Sequence, residues 1–519
     1  MTAPSLNEII ARSSLNDLAI DDAIECVGLL VDYAHDHSDE VLVARSLSWC
    51  SDLEARQLAP AQHALLQYFQ ANAWDVRRRN AQGTGQAVWA WEQPEVQKQI
   101  LHLRRAIAGE GFASLHTIRR CQILTNLANQ MDHVGRFIEA RAYWSGALAI
   151  DPGFWMAMGN RGRGLTHFAN ALYDHGHAEV FGLYALRDLE GAAALAKRSP
   201  QYGHEAAAKL FDAEAARLRP IVEGSRIERD YRPDGHSLGD TAKEQTYRSW
   251  CLRQSLFLNP LNDLGASSIA ARDVLALPSF TTDLDEPPVL IGFFNVMKQE
   301  FVSARWMFYE AKKSSGVHFS DRDVLLLDTV DYAIYGLALE QLKAVYRATY
   351  SIFDKVAFFL NYYLKLGIPP NQVSFSRIWR AKPKSPVRPQ FEQSENWPLR
   401  GLYWLSKDLF EEDFQDVIEP AARDLSVVRN HLEHKYLKVH MMPVRRPETD
   451  SAYVNPFFDT LAHSMTQDDL EQKCLHLLKL ARSALIYLSL GMHREERQRD
   501  RKRSPGTLTA PMSAARQSR

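Results

Sequence analysis

The sequence predicts an all-α protein. Apolar residues recur at spacings of three and four along most of the chain, and convincing strand-like alternation is scarce. Helix breakers fall between these runs rather than inside them, as at Ala59-Pro60, Asp151-Pro152-Gly153 and Ser199-Pro200. At 519 residues the chain exceeds what one hydrophobic core organises, so roughly two to four structural units are expected. Apolar residues at 46% and charged residues at 24% fit a globular chain, and a net charge of −2 provides no global attraction to nucleic acid. Any nucleic-acid surface must be local. The five cysteines (Cys26, Cys50, Cys121, Cys251, Cys474) are scattered, with no C-x-x-C, so neither a disulfide framework nor a zinc site is expected. That pattern suits a reducing, cytoplasmic location. The start, MTAPSLNEIIARSSLNDLAIDD, lacks the apolar core of a signal peptide. No run approaches the ~18 apolar residues of a membrane span, so no membrane association is expected.

Residues 1–220 read as successive helices, and one stretch is more specific. In CQILTNLANQMDHVGRFIEARAYWSGALAIDP, residues 121–152, Leu124, Leu127 and Ala128 face inward on a first helix and Gly135 allows the turn. Phe137, Ala140, Trp144 and Ala147 line a second helix, and Pro152 closes the unit. Small residues let two helices approach closely while aromatics fill the gaps. The pattern resembles a tetratricopeptide repeat over one period of about 34 residues, and a weaker copy follows from Trp155 with Gly162. An ordinary helical hairpin in an all-α domain is the alternative. Such repeats bury their faces on neighbours, so a short solenoid is expected.

Residues 221–327 read as a helical connecting region, opening with the exposed loop GSRIERDYRPDGHSLGD. Trp250, Leu252, Leu256 and Leu258 anchor the run after it, and the proline pair in DLDEPPVL breaks helix again. From Asp328 to Gly367 a long amphipathic helix is predicted, with Ala338, Leu342, Val345, Ile352, Val356, Phe359 and Tyr363 on one stripe. Further helices are expected over 396–411, 413–440 and 466–494, the last with a stripe of Leu470, Cys474, Leu477, Ala481, Ala484 and Leu488. Four such helices can bury a core as a bundle over 328–493. The basic tail, 494–519, lacks periodicity and is expected to be disordered.

The chemistry-bearing run is Arg429-Asn430-His431-Leu432-Glu433-His434. Asn430 and His434 are four apart and share one helical face, with Arg429 on the flank. Arginine offers a permanently charged donor fork for phosphate. Histidine titrates near neutrality and can take a proton from a 2′-hydroxyl or give one to a leaving 5′-oxygen. The asparagine amide can orient the imidazole or donate to a developing oxyanion. These groups meet the minimum needs of metal-independent RNA cleavage. Spacing alone favours a solvated polar helix face.

In context the run resembles the signature of the HEPN superfamily: an Arg, a polar residue directly after it, and a His a few residues on, placed on the third of four helices. The resemblance covers roughly residues 328–493, and the runs SWCLRQSLFLNPLND and LRGLYWLSKDLF are similar in character. It is closest to the subgroup with a tetratricopeptide-like region upstream. The resemblance implies a C-terminal four-helix HEPN bundle, an endoribonuclease needing no metal or other cofactor, a homodimer with two motifs facing one cleft, and a role in bacterial defence or toxin–antitoxin systems. It carries over to Arg429, Asn430 and His434 as catalytic residues, with Asp354, Lys355 or Glu433 as auxiliary groups. Tyr436, two residues past His434, matches a tyrosine that a partner nucleotidyltransferase modifies with AMP in some HEPN toxins. Packing in the bundle or dimer seam is its alternative role.

Between Asp354 and Glu392 there is no acidic residue, and the loop SRIWRAKPKSPVRPQ carries Arg377, Arg380, Lys382, Lys384 and Arg388 with Trp379 among them. Cations beside an aromatic on which a base can stack are what single-stranded RNA binding uses. A solvated connection between helices is the other possibility. The N-terminal helices are expected to sense a signal or dock a protein partner or antitoxin. Two readings compete with a ribonuclease: a helical-repeat adaptor whose HEPN domain only dimerises or binds a ligand, and a metal hydrolase using His431 and His434 with Glu433 or His440. The second lacks a convincing third and fourth ligand.

Overall fold

The structure is a computed structural model, and it describes residues 5–81, 89–280, 287–314, 316–327, 329, 331–382, 385–411, 414, 421–442, 459 and 461–501. The side chains of 421–424, 426 and 434 are not among them. Helix dominates, and the described strands number two short ones. Among the described residues the chain divides into two compact units, one of 5–231 and 391–404, the other of 232–390, 405–411, 414 and 421–501.

In the first unit, helices Pro60–Ala81, Pro94–Ile107, Thr117–His133, Phe137–Ile150, Trp155–Ala171 and His175–Ala196 pack in sequence order. The tetratricopeptide-like hairpin forms as expected, with Leu124, Leu127, Ala128, Phe137, Ala140, Trp144 and Ala147 all buried. Gly135 turns between the helices at φ 88°, where a side chain would also meet the Trp397 carbonyl. Gly162 lets the next helix approach its neighbour, since a Cβ there would lie 2.8 Å from Leu189.

The division differs from the predicted boundaries. Residues 391–404, expected in the C-terminal bundle, belong to the first unit. Their aromatics find partners there. Trp397 stacks on Phe137 at 4.5 Å and donates to the Asp132 carbonyl at 2.8 Å. Trp91 lies between Phe391 and Tyr403, and Trp404 donates to its carbonyl. Periodicity shows that a helix has an apolar face; it does not show which surface covers that face.

The second unit is a bundle of α1 (Val289–Lys313), α2 (Leu337–Tyr363), α3 (Ala421–His434) and α4 (Gln467–Asp500). Helix α1 lies in the predicted connecting region. Phe294, Met297, Phe301, Ala304 and Phe308 form its buried stripe, and Phe293 stacks on Phe359 of α2. The motif helix is still third of four, with α1 replacing the helix at 397–410. The predicted stripe of α4 is buried throughout, from Leu470 to Leu488. By length and composition α4 could cross a membrane, but most of its apolar stretch is buried inside the protein.

Two buried arginines fasten the preceding segment to this bundle. Arg482 of α4 reaches the Phe257 carbonyl at 2.6 Å, the Asn259 carbonyl at 3.0 Å and the Asp263 carboxylate at 2.7 Å. Arg305 of α1 pairs with both oxygens of Asp273, at 2.9 and 2.8 Å, and with the Leu256 carbonyl. The run SWCLRQSLFLNPLND thus supplies a loop of carbonyls around guanidinium groups.

Two predicted helices are shorter than expected. Residues 331–336 are not helical, and Ala333 instead bridges antiparallel to His440. The predicted helix 413–440 ends at His434, and β1 (Tyr436–His440) follows, paired in parallel with β2 (Ala462–Thr466). Leu437 and Val439 are buried while Tyr436 is exposed and Lys438 half-buried, a strand alternation that ends at His440, which is buried too. Immediately after β2, Thr466 caps α4 in a reciprocal capping box with Asp469. Residues 494–500, expected in a disordered tail, instead continue α4 to Asp500, and residues 502–519 lie outside the described residues.

Candidate functional site

Helix α3 is oriented by its apolar side. Leu425, Val428 and Leu432 are buried, which turns Asn430 and Glu433 outward and leaves Arg429 half-buried at the edge. Two side chains of α2 grip the backbone of α3: the Tyr346 hydroxyl donates to the Leu425 carbonyl at 2.7 Å, and Arg347 donates to the Leu432 carbonyl at 2.7 Å. The second contact satisfies a carbonyl in the last turn, where a positive charge also meets the negative helix end. Arg347 also approaches Glu433, at 3.6 Å.

Beside Arg429 lies a pocket of about 240 Å³. It brings together three residues from separate parts of the sequence: Arg429 of α3, Asp354 of α2 and Arg377 of the basic loop. Tyr350 lines it as well, and the Arg429 guanidinium sits 5.6 Å from the centre of that ring, in cation–π range. Arg429 also donates to the Asn430 side-chain oxygen at 3.4 Å. Asp354 accepts from the Phe375 backbone N–H at 3.0 Å, which holds the turn that starts at Ser374 along the pocket wall. Burial pushes the Tyr350 phenol up to about 12; Asp354 acts the same way and Arg429 opposes it. The phenol is therefore neutral, and a donor, across the physiological range. Among the described lining residues, two guanidinium groups against one carboxylate leave a net positive charge, suited to a phosphate group.

The other predicted residues lie as follows. His434 is the last residue of α3, and its side chain lies outside the described residues. Lys355 does not line the pocket; it pairs with Glu300 of α1 at 2.7 Å. Trp379 is a correction: it is 1% exposed, donates to the Phe375 carbonyl at 2.7 Å and packs edge-on against the Phe375 ring. It is a core residue with no face for a base, because the apolar indole is better buried than left beside the cations. Arg380 and Arg388 direct donors at the loop's own carbonyls, Ser385 and Ile378, as Arg380 bridges to Val387. Lys382 is exposed, and Lys384 lies outside the described residues. Of the described members of this group, Arg377 alone lines the pocket.

Tyr436 is corrected in its setting. It stands on β1, not on a continued helix, and its hydroxyl bonds to Asp459. Two of the residues proposed as metal ligands, His431 and His440, have separate partners. The His431 ring lies 5.2 Å from that of His463, while His440 is buried with Nδ1 at 3.0 Å from the Asp331 carbonyl. Among the described residues no three His, Cys, Asp or Glu side chains gather as a metal site.

Sequence reasoning missed Tyr350 and Arg347. The signal was present: Tyr350 precedes Asp354 by four residues and Arg347 by seven, so all three fall on one side of α2.

A helical bundle whose third helix ends in an Arg-Asn…His run defines the HEPN class of domain. Residues 281–495 match the family described as LA2681-like HEPN, and this part of the chain belongs to the HEPN superfamily. The match begins just ahead of α1, in agreement with the packing of that helix in the bundle. HEPN domains are often ribonucleases, and they commonly bind RNA and dimerise. No curated protein and no solved structure matches the chain.

Proposed function

We propose that the C-terminal unit is a metal-independent endoribonuclease acting on single-stranded or structured RNA. The observation that supports this reading is the pocket shared by Arg429, Arg377 and Asp354, on the helix that ends in His434. In the reaction the 2′-oxygen attacks the adjacent phosphorus and the bond to the 5′-oxygen breaks. The products are a 2′,3′-cyclic phosphate and a 5′-hydroxyl. His434 serves as general acid or base, Arg429 stabilises the charge that builds on the non-bridging oxygens, and Asn430 holds Arg429 or the imidazole in place. One motif supplies one histidine. A two-proton mechanism therefore draws on the motifs of a homodimer, or on water for one transfer. Under this reading the protein works in the cytoplasm in bacterial defence or a toxin–antitoxin pair, with the N-terminal helices docking a protein partner or antitoxin.

The test is incubation of the purified full chain with single-stranded RNA in EDTA. Wild type is expected to cleave and His434→Ala to lose cleavage while keeping its fold; equal activity in both rules out this site. A second reading has its own support: Leu325, Leu327 and Tyr332 are 84–90% exposed, the kind of apolar surface a partner covers. If the domain only docks or dimerises, a stable complex survives Arg429→Ala and no variant cleaves.

A further inference from the structure

Helix α2 carries three buried tyrosines, and two of them have hydrogen-bonded hydroxyls. Tyr346 bonds to the Leu425 carbonyl and Tyr363 to the Glu496 carboxylate, each at 2.7 Å. Tyr350 is 7% exposed, and its hydroxyl has no hydrogen-bond partner among the described residues. The oxygen is not one of the fully buried unpaired polar atoms, so it opens onto the pocket while the ring is buried. Tyr350 also lines the pocket that holds Arg429 and Arg377.

We propose that the Tyr350 hydroxyl is a ligand contact of this site, donating to a non-bridging oxygen of a phosphate group held between Arg429 and Arg377. The proposal rests on the ribonuclease reading for the identity of the phosphate as part of an RNA chain. Each group has a distinct part. The ring of Tyr350 lies under Arg429 and restricts the orientation of its guanidinium. The hydroxyl adds a neutral donor, and burial keeps it protonated at neutral pH. Arg377 brings a second charge from a different segment, so the pocket can hold an oxyanion from two sides. Asp354 reduces the net charge, and its bond to the Phe375 N–H fixes the wall that carries Arg377.

Tyr350→Phe separates the contact from the scaffold, because it deletes the oxygen and keeps the ring beneath Arg429. Two measurements on the full chain test it: cleavage of single-stranded RNA in EDTA, and binding of a 2′-O-methyl oligonucleotide that cannot be cleaved. A hydrogen bond to a charged oxygen predicts a loss of about 10-fold or more in both kcat/KM and affinity. Thermal stability should be essentially unchanged, since the hydroxyl bonds to no other group among the described residues and the ring is kept. Arg377→Gln should weaken oligonucleotide binding and flatten its salt dependence. Tyr350→Phe binding and cleaving within about two-fold of wild type overturns the proposal, as does absence of oligonucleotide binding by wild type. If wild type binds and Tyr350→Phe binds weakly while no form cleaves, the contact stands and the ribonuclease reading fails. If wild type cleaves and Tyr350→Phe matches it, the reverse holds.

Discussion

Replacing Arg482 by methionine removes a buried guanidinium while keeping most of its apolar stem. In the wild type that group is 2% exposed and joins α4 to three acceptors of the segment 257–263. The variant leaves Asp263, itself 3% exposed, as a buried carboxylate without its partner. Stranding one member of a buried ion pair costs about 3–5 kcal/mol. The Phe257 and Asn259 carbonyls also lose a donor, at about 1–3 kcal/mol for each one left unpaired. These terms overlap, so a loss of at least ~3 kcal/mol is expected, a large fraction of a typical domain's stability. A chain of two units does not unfold in one step, so the measurement should be local. Hydrogen exchange read in peptides from 251–264 and 474–490 reports the opening of this junction. The double variant Arg482→Met/Asp263→Leu leaves neither charge stranded and should recover most of the loss. Protection within ~1 kcal/mol of wild type in the single variant, or a double variant no better than the single, would refute the reasoning.

Gly135→Ala should destabilise the tetratricopeptide-like hairpin by about 1–3 kcal/mol through its left-handed backbone alone, and by more through the close Trp397 carbonyl; urea unfolding of the first unit's peptides reads this. Lys438 contacts Asp331 at 2.5 Å and Asp459 at 3.1 Å, so Lys438→Met should loosen the β1–β2 pair. Burial alone would raise the Asp331 carboxyl, but hydrogen bonds from Lys438 and Thr329 hold it at about 2. A depressed carboxyl contributes stability above its ordinary pKa of about 3.9, and that contribution is lost as pH falls through about 2. The advantage of wild type over Lys438→Met should therefore be full above about pH 5 and shrink toward pH 2. All five cysteines are buried, and burial raises the thiols of Cys50, Cys121, Cys251 and Cys474. A thiol reagent at pH 8 should leave the native chain largely unlabelled and label all five after denaturation.

Local periodicity carried much of the fold. The seven inward residues of the 121–152 hairpin, the stripe of α4 and that of α2 from Leu342 onward are buried as their spacing requires, with Ala338 in the first turn of α2 only half-buried, because a helix face is set by residues within two turns of each other. What failed was non-local. Helix 397–410 has an evident apolar face, but only the folded chain shows that Trp91 and Phe137 cover its first half. Tyr436–His440 passes for helix until it pairs with a segment more than twenty residues on. Helix α1 was readable, since Phe294, Met297, Phe301 and Phe308 keep helical spacing, yet the proline pair before it drew attention to the break. At the site, Arg429 and Asp354 were legible as chemistry, whereas the pocket joining them to Arg377 depends on the path of the loop. Trp379 was misplaced because an aromatic among cations has the same local sequence whether it is exposed or buried.

The parallel pair of β1 and β2 has a consequence for how relatives of this domain can diverge. Tyr436 faces Ala462 and His440 faces Thr466, so the end of α3 and the start of α4 share one register. One residue inserted between His434 and Tyr436 would shift the motif by about 3.3 Å against α4 or reverse every side chain of β1. Insertions after His440 and before Ala462 leave that register alone, and longer loops close at little extra entropy. Homologues should therefore vary in length between the strands and keep a constant count from the motif histidine to the end of β1.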